Sequence, residues 1–449
     1  MQYKTSILDH LQFDCPTLEQ KRALIAMSNF VKDSNNNDFL ILSGAAGTGK
    51  TSLTTALIGY LNSICASYSI AAPTGRAARI LGRKSNTLNS TIHSLIYNTK
   101  VDSKSGEITF TLKENKIKDF TVFIIDEASM ISSKSINDKG SLFKSSNSLL
   151  SDLISFFKKG NPKNKLILLG DKNQLPPVNE HESMALCESY LVNKFSLKGS
   201  SHLLTKVKRQ RDGSYILKNA NKLRIGIDNN LKFVPLENIE MQNLSKASDS
   251  YVKEYLKNCE DSVISIGTTH NMNKMFNTIV REKIYGKCPK IVEKDDRLLI
   301  SKTWKRNGMQ LFSGDHVTVE EVNLDKTETV TGLKFAPVKL RSKNLKNEDV
   351  FLEDYLLLDF IHRPKGLSAE QENKLRHERF KKNKVYRASL MSSDDKYIGA
   401  IRATYGHSIT CNKAQGGEWN KVLVNSYFLP SLRYTYTAIT RAKKSLILY

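Results

Sequence analysis

Cysteine, tryptophan and long apolar runs are scarce in this sequence of 449 residues. The six cysteines are scattered and include no C-x-x-C pair, which argues against a zinc finger, an iron–sulfur cluster or a disulfide framework. No run of about 18 apolar residues is present to span a bilayer. Residues 1–10 lack the apolar core of a signal peptide. We therefore expect a reduced, soluble protein of the cytoplasm, or of the nucleus in a eukaryote, without membrane partners.

Acidic residues are also few, since 45 Asp and Glu stand against 68 Lys and Arg, a formal net charge of +23. This excess favours a polyanionic partner, with nucleic acid first and an anionic membrane surface second. Hydrophobic residues make up 40% and charged residues 25%, a composition typical of globular proteins rather than disordered ones. The length allows about two to four domains, each with a sizeable core.

Short apolar runs alternate with amphipathic stretches, a pattern typical of parallel α/β sheets. The runs are residues 38–43, 69–72, 122–125, 166–169, 263–266 and 422–424. Two segments interrupt the alternation. Residues 98–119 carry the strand-like Ile108–Leu112 and predict a protruding hairpin, and residues 311–400 predict an inserted β-rich module with a charged helix.

The clearest motif is a phosphate-binding loop of the form G-x-x-x-x-G-K-T, placed after an apolar strand and before a helix. Its residues are Gly44, Ala45, Ala46, Gly47, Thr48, Gly49, Lys50 and Thr51, followed by Ser52. Glycines allow backbone N–H groups to surround phosphates, and the helix N-terminus favours negative charge. Lys50 is expected to contact the β- and γ-phosphates, and the Thr51 hydroxyl to bind Mg²⁺. The predicted cofactors are ATP and Mg²⁺.

Two further strands end in polar side chains that suit the same chemistry. Asp126 and Glu127 follow the apolar residues 122–125. Asp126 is expected to hold Mg²⁺ and Glu127 to activate the attacking water. Gln174 lies beyond the apolar run at 166–169 and could sense a γ-phosphate, although the Gly-Asp and Pro-Pro pairs around it also suit a simple turn.

The ordered set of motifs resembles the superfamily 1B DNA helicases of the Dda, RecD and Pif type. The segments that carry the resemblance are 17–20, 72–78, 90–95, 204–210, 410–418 and 436–442, in addition to the two phosphate-site motifs. They span the chain from about Thr17 to its last residue. The family usually has His where this chain has Asn412, which keeps hydrogen-bonding capacity but lacks a ring that could stack.

The resemblance implies a role for each matching residue. Gln20 would read adenine, Glu418 would join the ATP site, and Arg209 and Arg441 would bind the transferring phosphate as catalytic arginines, beside Lys50, Glu127 and Gln174. Single-stranded DNA would be held without sequence preference by a set of loop residues. This set is Pro73, Thr74, Arg76, Thr91, His93, Thr410, Asn412 and Lys413.

The resemblance also implies the architecture. We predict an α/β protein of two RecA-like parallel-sheet lobes with an inserted β-hairpin and an inserted small β-barrel-like module. The first lobe is predicted at residues 1–200, with the hairpin at about 98–119. The second is predicted at 201–310 and 401–449, interrupted by the module at 311–400.

The expected function is an ATP-dependent DNA helicase that moves 5′→3′ on single strands and unwinds duplexes, with the polarity implied by the resemblance alone. Its expected partners are single-stranded DNA, duplex junctions and proteins of replication, repair or recombination, and the chain is expected to act as a monomer in a bacterial or phage-infected cell. Two alternatives stay open, an RNA or RNA–DNA helicase and a P-loop ATPase without strand separation. A nuclease–helicase would need a clustered carboxylate module, for which no spare length is evident.

Overall fold

The structure is a computed structural model that describes residues 6–32, 37–85, 90–101, 108–135, 143–144, 147–207, 214–258, 262–344, 348–363 and 366–449. The chain divides into two compact units. The first unit comprises residues 1–98, 110–137 and 145–231, and the second comprises the remainder. Within the described part of the chain, no helix combines the length and apolarity that a membrane crossing requires.

The elements before residue 232 follow the predicted alternation of strands and helices. The strands are β1 Phe39–Gly44, β2 Ser67–Ala72, β3 Ser90–Thr91, β4 Tyr97–Val101, β5 Ile108–Leu112, β6 Thr121–Ile125, β7 Phe143–Lys144, β8 Lys165–Gly170 and β9 Gly199–Leu204. The helices are α1 Leu18–Lys32, α2 Lys50–Ser63, α3 Gly75–Ser85, α4 Ile92–Ile96, α5 Leu149–Lys159, α6 Glu188–Phe195 and α7 Tyr215–Asp228. Short 3₁₀ turns lie at Ile7–His10, Ala128–Met130 and Met184–Leu186.

The first unit is built on a parallel sheet with the strand order β3-β2-β6-β8-β1-β9. Every residue of β1, β6 and β8 is buried. Along β1, Leu40 and Leu42 belong to one apolar core while Phe39 and Ile41 belong to another. Because side chains alternate across a strand, the sheet is covered on both faces, which is why its strands are apolar without interruption.

The elements after residue 232 combine a second parallel sheet with an antiparallel one. The strands are β10 Glu240–Met241, β11 Val263–Gly267, β12 Arg297–Ile300, β13 Trp304–Arg306, β14 Met309–Leu311, β15 His316–Val322, β16 Glu328–Val330, β17 Leu333–Lys343, β18 Asp349–Leu357, β19 Ala403–Tyr405, β20 Ser408–Thr410, β21 Trp419–Val424 and β22 Ala442–Leu448. The helices are α8 Leu244–Asn258, α9 His270–Tyr285, α10 Ala369–Lys382, α11 Lys384–Ser389, α12 Cys411–Ala414 and α13 Leu432–Ile439, with 3₁₀ turns at Leu358–Phe360 and Ser392–Asp394.

The parallel sheet of the second unit has the order β10-β22-β21-β11-β20. The antiparallel sheet has the order β16-β17-β15-β12-β19, and β18 pairs with β17 over nine residue pairs. Its apolar core includes Leu298, Val317, Leu340 and Leu356. The predicted fold class is therefore confirmed: two RecA-like parallel sheets and an inserted antiparallel sheet. The predicted limits of the lobes stay a prediction.

The segment predicted as a hairpin supplies β4 and β5, which are neighbours in a small sheet with β7. The Lys113 amide donates to the Ile96 carbonyl at 2.7 Å, and Phe110 and Leu112 pack against the core of the first unit. The base of this segment is therefore anchored in the fold rather than free of it. Residues 102–107, between the two strands, lie outside the described residues.

Candidate nucleotide site and nucleic-acid interface

The phosphate-binding loop connects the end of β1 to the start of α2, where the sequence predicted it. Gly47 and Gly49 have φ of 83° and 93°, a left-handed conformation that glycine adopts without steric cost. A Cβ atom on Gly49 would lie 2.7 Å from Nε2 of Gln20, and one on Gly44 would lie 2.7 Å from Oγ1 of Thr48. Both distances are too short, so larger residues would distort the loop.

The ammonium group of Lys50 lies within this loop. Its Nζ donates to the carbonyl oxygens of Gly44 and Ala45, the latter at 3.0 Å. The Thr48 hydroxyl donates to the same Ala45 carbonyl at 2.9 Å. The charge of Lys50 therefore already lies where the motif places the phosphates, held by backbone dipoles that an anion could replace.

Gln20, on α1, is hydrogen-bonded to the phosphate-binding loop. Its Nε2 donates to the Thr48 carbonyl at 2.8 Å, and its Oε1 accepts from the Thr17 amide at 2.8 Å. The side chain is only 2% exposed. Both ends of the amide are thus engaged, one with the phosphate-binding loop and one with the N-terminus of its own helix. The predicted contact of Gln20 with adenine stays a prediction.

Asp126 and Glu127 lie directly beyond β6. The Asp126 amide donates to the carbonyl of Ala71 on β2 at 3.0 Å, which continues the sheet by one residue. Asp126 Oδ1 accepts from the Glu127 amide at 2.9 Å. Glu127 has φ of 51°, an uncommon value for a residue other than glycine. Such a conformation costs about 1–3 kcal/mol and persists where the surroundings impose it, often at functional sites.

Gln174 lies in the buried turn after β8. Its backbone N–H donates to the Asp171 carbonyl at 3.1 Å, and its side-chain Nε2 donates to Asp171 Oδ2 at 3.5 Å. The side chain is 3% exposed, and its Oε1 has no hydrogen-bond donor among the described residues. An unmet buried acceptor costs about 1–3 kcal/mol, so this oxygen suits a contact with a ligand or an ordered water.

Sheet topology brings these groups together although they are distant in sequence. Strand β8 lies between β1 and β6, and pairs such as Ser43 with Gly170 and Ile125 with Leu168 put the three strands in parallel register. Their carboxyl ends therefore share one edge of the sheet, the usual ligand edge of such folds. Lys50, Thr51, Asp126, Glu127 and Gln174 all follow those ends.

The donor set at this edge fits Mg²⁺. The ion prefers hard oxygen ligands and is usually held in nucleotide sites by one or two protein oxygens, waters and substrate phosphates. The Thr51 hydroxyl and the Asp126 carboxylate provide such oxygens. Among the described residues no cluster of three or more His, Cys, Asp or Glu is placed to hold a metal ion.

Glu19 is a residue of this region that the sequence did not reveal. Its carboxylate accepts from the Thr205 amide at 2.8 Å, the Thr205 hydroxyl at 2.5 Å and the Lys206 amide at 3.1 Å. Burial alone would raise the pKa of Glu19, but these hydrogen bonds lower it. The contacts join α1 to the segment that leads toward Arg209, which itself lies outside the described residues.

Arg441 and Glu418 belong to the second unit. Arg441 is 3% exposed, and its guanidinium donates to the carbonyls of Thr437 at 2.9 Å and Gly417 at 3.3 Å, and to the Thr440 hydroxyl at 3.1 Å. Glu418 lies 3.8 Å from Lys443 Nζ. The guanidinium of Arg441 is thus hydrogen-bonded to carbonyl groups of its own unit. The roles predicted for both side chains stay predictions.

The DNA-binding loops predicted in the first unit lie side by side. Pro73, Thr74 and Arg76 follow β2, whereas Thr91 ends β3 and His93 follows it, and these strands pair through Ala72 and Thr91. Thr74 and Thr91 cap α3 and α4 through bonds of 3.2 Å to the amides of Ala77 and Ser94, respectively.

His93 also has a structural role. Its ring lies 5.7 Å from that of Tyr97 and 5.9 Å from that of Phe110, and burial lowers its pKa. A neutral imidazole packed between aromatic rings supports the base of the predicted hairpin. Its contact with DNA stays a prediction.

In the second unit, Thr410 ends β20 and is followed by the short helix α12, which carries Asn412 and Lys413. Asn412 is exposed, whereas Lys413 is half-buried and burial lowers its pKa. Thr410 and Lys413 line a small cavity of about 50 Å³ together with residues of α9 and of the antiparallel sheet. No sequence motif indicated those additional residues.

Comparisons with known proteins found similar families and sequences. A family described as AAA domain matches residues 28–180, and a UvrD-like helicase C-terminal domain matches residues 405–449. An uncharacterized protein of Methanocaldococcus jannaschii is 24% identical over 95% of this chain and 38% of its own length. The ATP-dependent DNA helicase Dda of Enterobacteria phage T4 is 29% identical over 61% of this chain and 58% of its own.

The fold also matches solved helicase structures. The crystal structure of the Pif1 helicase from Candida albicans aligns with a TM-score of 0.52 at 16% identity, covering 97% of this chain and 95% of that one. The fold therefore contains two RecA-like sheets, and a phosphate-binding-loop motif lies at the carboxyl edge of the first sheet. In sequence the chain is similar to DNA helicases of the Dda and RecD type, and in fold it is similar to Pif1. The chain spans 38% and 58% of the lengths of the two curated relatives above.

Proposed function

We propose that this protein is an ATP-dependent DNA helicase that translocates 5′→3′ on single-stranded DNA and separates duplexes. The observation that carries the proposal is the arrangement at one sheet edge, where Lys50, Asp126, Glu127 and Gln174 follow three adjacent strands. A sequence relative named as an ATP-dependent DNA helicase and the net charge of +23 support the choice of nucleic acid.

In this proposal Lys50 exchanges its carbonyl partners for phosphate oxygens, and Thr51 and Asp126 hold Mg²⁺. The ion would neutralise charge that develops on the phosphates. Glu127 orients the attacking water and accepts its proton. The unmet Oε1 of Gln174 provides an acceptor for a water at the same edge.

The arginine contribution would come from Arg209 and Arg441. Arg441 would leave the carbonyls of Thr437 and Gly417 to reach the transferring phosphate. Such an exchange costs little, because one set of charge-assisted hydrogen bonds replaces another. It would make hydrolysis dependent on the conformation of the second unit, which is how a translocase couples chemistry to movement.

The deciding experiment is strand displacement on duplexes with a 5′ tail, a 3′ tail or blunt ends, with ATP and Mg²⁺ and with a nonhydrolysable ATP analogue as control. We expect displacement only with hydrolysable ATP and only on the 5′-tailed substrate. Preference for the 3′ tail would reverse the proposed polarity. ATP hydrolysis stimulated by DNA without any displacement would favour a P-loop ATPase that separates no strands.

The choice between DNA and RNA has its own test. The same tailed substrates are prepared with an RNA tracking strand and compared at equal salt concentration. We expect the DNA tail to be used at least as well as the RNA tail. A strong preference for RNA would favour the alternative of an RNA or RNA–DNA helicase. If backbone contacts dominate, a log–log slope of about −0.7 per neutralised phosphate is expected for binding to single strands.

A further inference from the structure

The segment that follows β9, here called the 205–206 segment, is held by one carboxylate of α1. Both oxygens of Glu19 are engaged. Oε2 accepts from the amides of Thr205 at 2.8 Å and Lys206 at 3.1 Å, and Oε1 accepts from the Thr205 hydroxyl. Thr205 and Lys206 are exposed, so water could also satisfy their donors. The contact therefore fixes the position of the segment rather than meeting a need for buried hydrogen bonds.

The 205–206 segment leaves the first sheet beside the phosphate-binding loop. Strands β1 and β9 are parallel neighbours, and their last residues, Gly44 and Leu204, are register partners. The two strands approach closely at this point, since a Cβ atom on Gly44 would lie 2.9 Å from Cβ of Leu204. The chain beyond Gly44 forms the phosphate-binding loop, whereas the chain beyond Leu204 is the segment that Glu19 holds. The two segments therefore start at adjacent positions of one sheet edge.

Helix α1 is bonded to both segments through consecutive residues. Gln20 donates to the carbonyl of Thr48 in the phosphate-binding loop at 2.8 Å, and Glu19 holds the 205–206 segment. The helix itself is attached to the first unit by buried apolar residues such as Leu24. Helix α1 thus serves as a common support, and the two polar side chains connect the segments to it.

The 205–206 segment leads to Arg209, for which the resemblance implies a catalytic role. Arg209 lies three residues beyond Lys206 in the sequence. Three residues span about 11 Å at most, so fixing Lys206 limits how far from the phosphate-binding loop the backbone of Arg209 can lie. A catalytic group acts only within a narrow range of positions, and a displacement of about 1 Å can lower the rate about a hundredfold. An anchor for this segment is therefore a means of supporting catalysis.

We propose that Glu19 is a positioning residue for ATP hydrolysis, whose carboxylate holds Thr205 and Lys206 so that Arg209 reaches the transferring phosphate. The inference rests on the proposed function, in which Arg209 is a catalytic arginine. Glu19 acts through Arg209 rather than on the nucleotide. Loss of the anchor should therefore lower the rate of turnover and leave the affinity for ATP unchanged.

The main test is a cycle of single and double variants, measured as ATP hydrolysis by the full chain with Mg²⁺ and saturating oligothymidylate. Glu19→Gln keeps the shape of the side chain but replaces one acceptor oxygen by an NH₂ donor. We expect its kcat to fall between about tenfold and a hundredfold, with the affinity for a fluorescent ATP analogue within about twofold of the wild type. Glu182→Gln, at an exposed position of the first unit, is the matched control and should behave as the wild type.

The cycle is completed by Arg209→Ala and by the double variant. Because Glu19 acts through Arg209, Glu19→Gln should have no further effect on kcat once Arg209 is removed. If the effects of the two substitutions multiply instead, Glu19 acts independently of Arg209 and the proposal is overturned. A kcat of Glu19→Gln equal to that of Glu182→Gln would overturn it as well, as would weaker ATP binding at an unchanged kcat.

A second pair of variants keeps the test decisive if Glu19→Gln is unstable, which a lowered midpoint of thermal unfolding identifies. Thr205→Val removes the hydroxyl donor to Glu19 at nearly constant volume, whereas Thr205→Ser retains it. We expect kcat of Thr205→Val to be about threefold below that of Thr205→Ser, with equal affinities for ATP. Equal kcat values in this pair would contradict the positioning role.

Failure of this proposal is distinguishable from failure of the proposed function. If the wild type neither hydrolyses ATP nor displaces strands, the proposed function fails and the proposal fails with it. If the wild type does both and the Glu19 and Thr205 variants show no specific loss of kcat, only the positioning role fails. If Arg209→Ala hydrolyses ATP as the wild type does, the arginine assignment and this proposal fail together, and strand displacement still decides the function.

Discussion

The carboxyl edges of the two parallel sheets carry different chemistry, although both sheets contain fully buried strands. In the first unit, β1, β8 and β6 are followed by Lys50, Gln174 and the Asp126–Glu127 pair. In the second, β11 and β20 are followed by hydroxyl, amide and basic side chains, several of which line a small cavity. Strands as similar as TVFII and VISIG, both buried throughout, thus support unrelated sites.

This difference shows that the sheet core and the site are specified by different residues. A parallel sheet needs apolar residues on both faces, and many sequences satisfy that requirement. The chemistry resides in the loops at the strand ends, where side chains are free to differ. We therefore expect substitutions at the first edge to stop hydrolysis and leave the second unit's binding intact.

The largest expected effect is that of Lys50→Ala. ATP hydrolysis should fall to background, because the variant removes the positive charge from the phosphate-binding loop. Binding of single-stranded DNA in the absence of ATP should stay near normal, since no predicted DNA contact is altered. Hydrolysis is measured by phosphate release and DNA binding by fluorescence anisotropy. Lys163→Ala, on the exposed surface of the first unit, is the matched control. Equal loss of both activities would mean that Lys50 mainly supports the fold.

Glu127→Gln should have the next largest effect. The amide keeps the shape of the side chain but does not accept a proton from water, so turnover should fall about 10²–10⁴-fold. Affinity for ATP should be retained, which a fluorescent nucleotide titration measures. Glu182→Gln, at an exposed position of the same unit, provides the control. Turnover near that of the control would place the general base elsewhere.

An effect on unwinding alone is expected from the predicted hairpin. Because Phe110 and Leu112 pack against the core, removing residues 103–113 as a block would damage the fold. Replacing only residues 102–107 by a Gly-Ser linker of equal length avoids this. If the hairpin separates strands, displacement should fall steeply while DNA-stimulated hydrolysis stays near normal. Parallel losses of the two rates, or unchanged unwinding, would contradict its role as a wedge.

The smallest expected effect concerns stability and lies in the second unit. His407 is fully buried, its Nδ1 lies 3.3 Å from the Tyr251 hydroxyl, and burial with the charges of Arg297 and Arg281 holds its pKa well below the usual range. The native state keeps the ring neutral while the unfolded chain protonates it near pH 6.5. The contribution of the neutral His407 ring to the free energy of unfolding is therefore fully present above about pH 6.5 and is lost as the pH falls below that value.

The size of this effect follows from linkage, at about 1.4 kcal/mol per pH unit for one proton. Urea unfolding of the wild type and of His407→Gln, between about pH 7.5 and pH 5, measures it. We expect the variant to be less stable at neutral pH but to lose less of its unfolding free energy on acidification. The same pH slope in both proteins would show that His407 does not carry the dependence.

Much of the nucleotide site could be predicted because its signals are local. The glycine spacing before Lys50 and the acidic pair after an apolar strand are each contained in fewer than ten consecutive residues. Such motifs combine a backbone requirement with a chemical one, so they identify strand, loop and helix together. The alternation of apolar runs likewise predicted two parallel sheets, which the structure confirms.

Tertiary structure alone decided the contacts that link distant segments. Glu19 bonds Thr205 across 186 positions, and Asn273 and His362 line the same small cavity of the second unit. No periodicity or motif predicted these particular contacts, because a surface glutamate, histidine or asparagine is equally acceptable to the local chain in many environments. The sheets and the phosphate-binding loop can be predicted from the sequence, since short-range sterics and apolar burial specify them. The pairing of polar groups was decided only when folding placed their loops at a common edge and removed water from them.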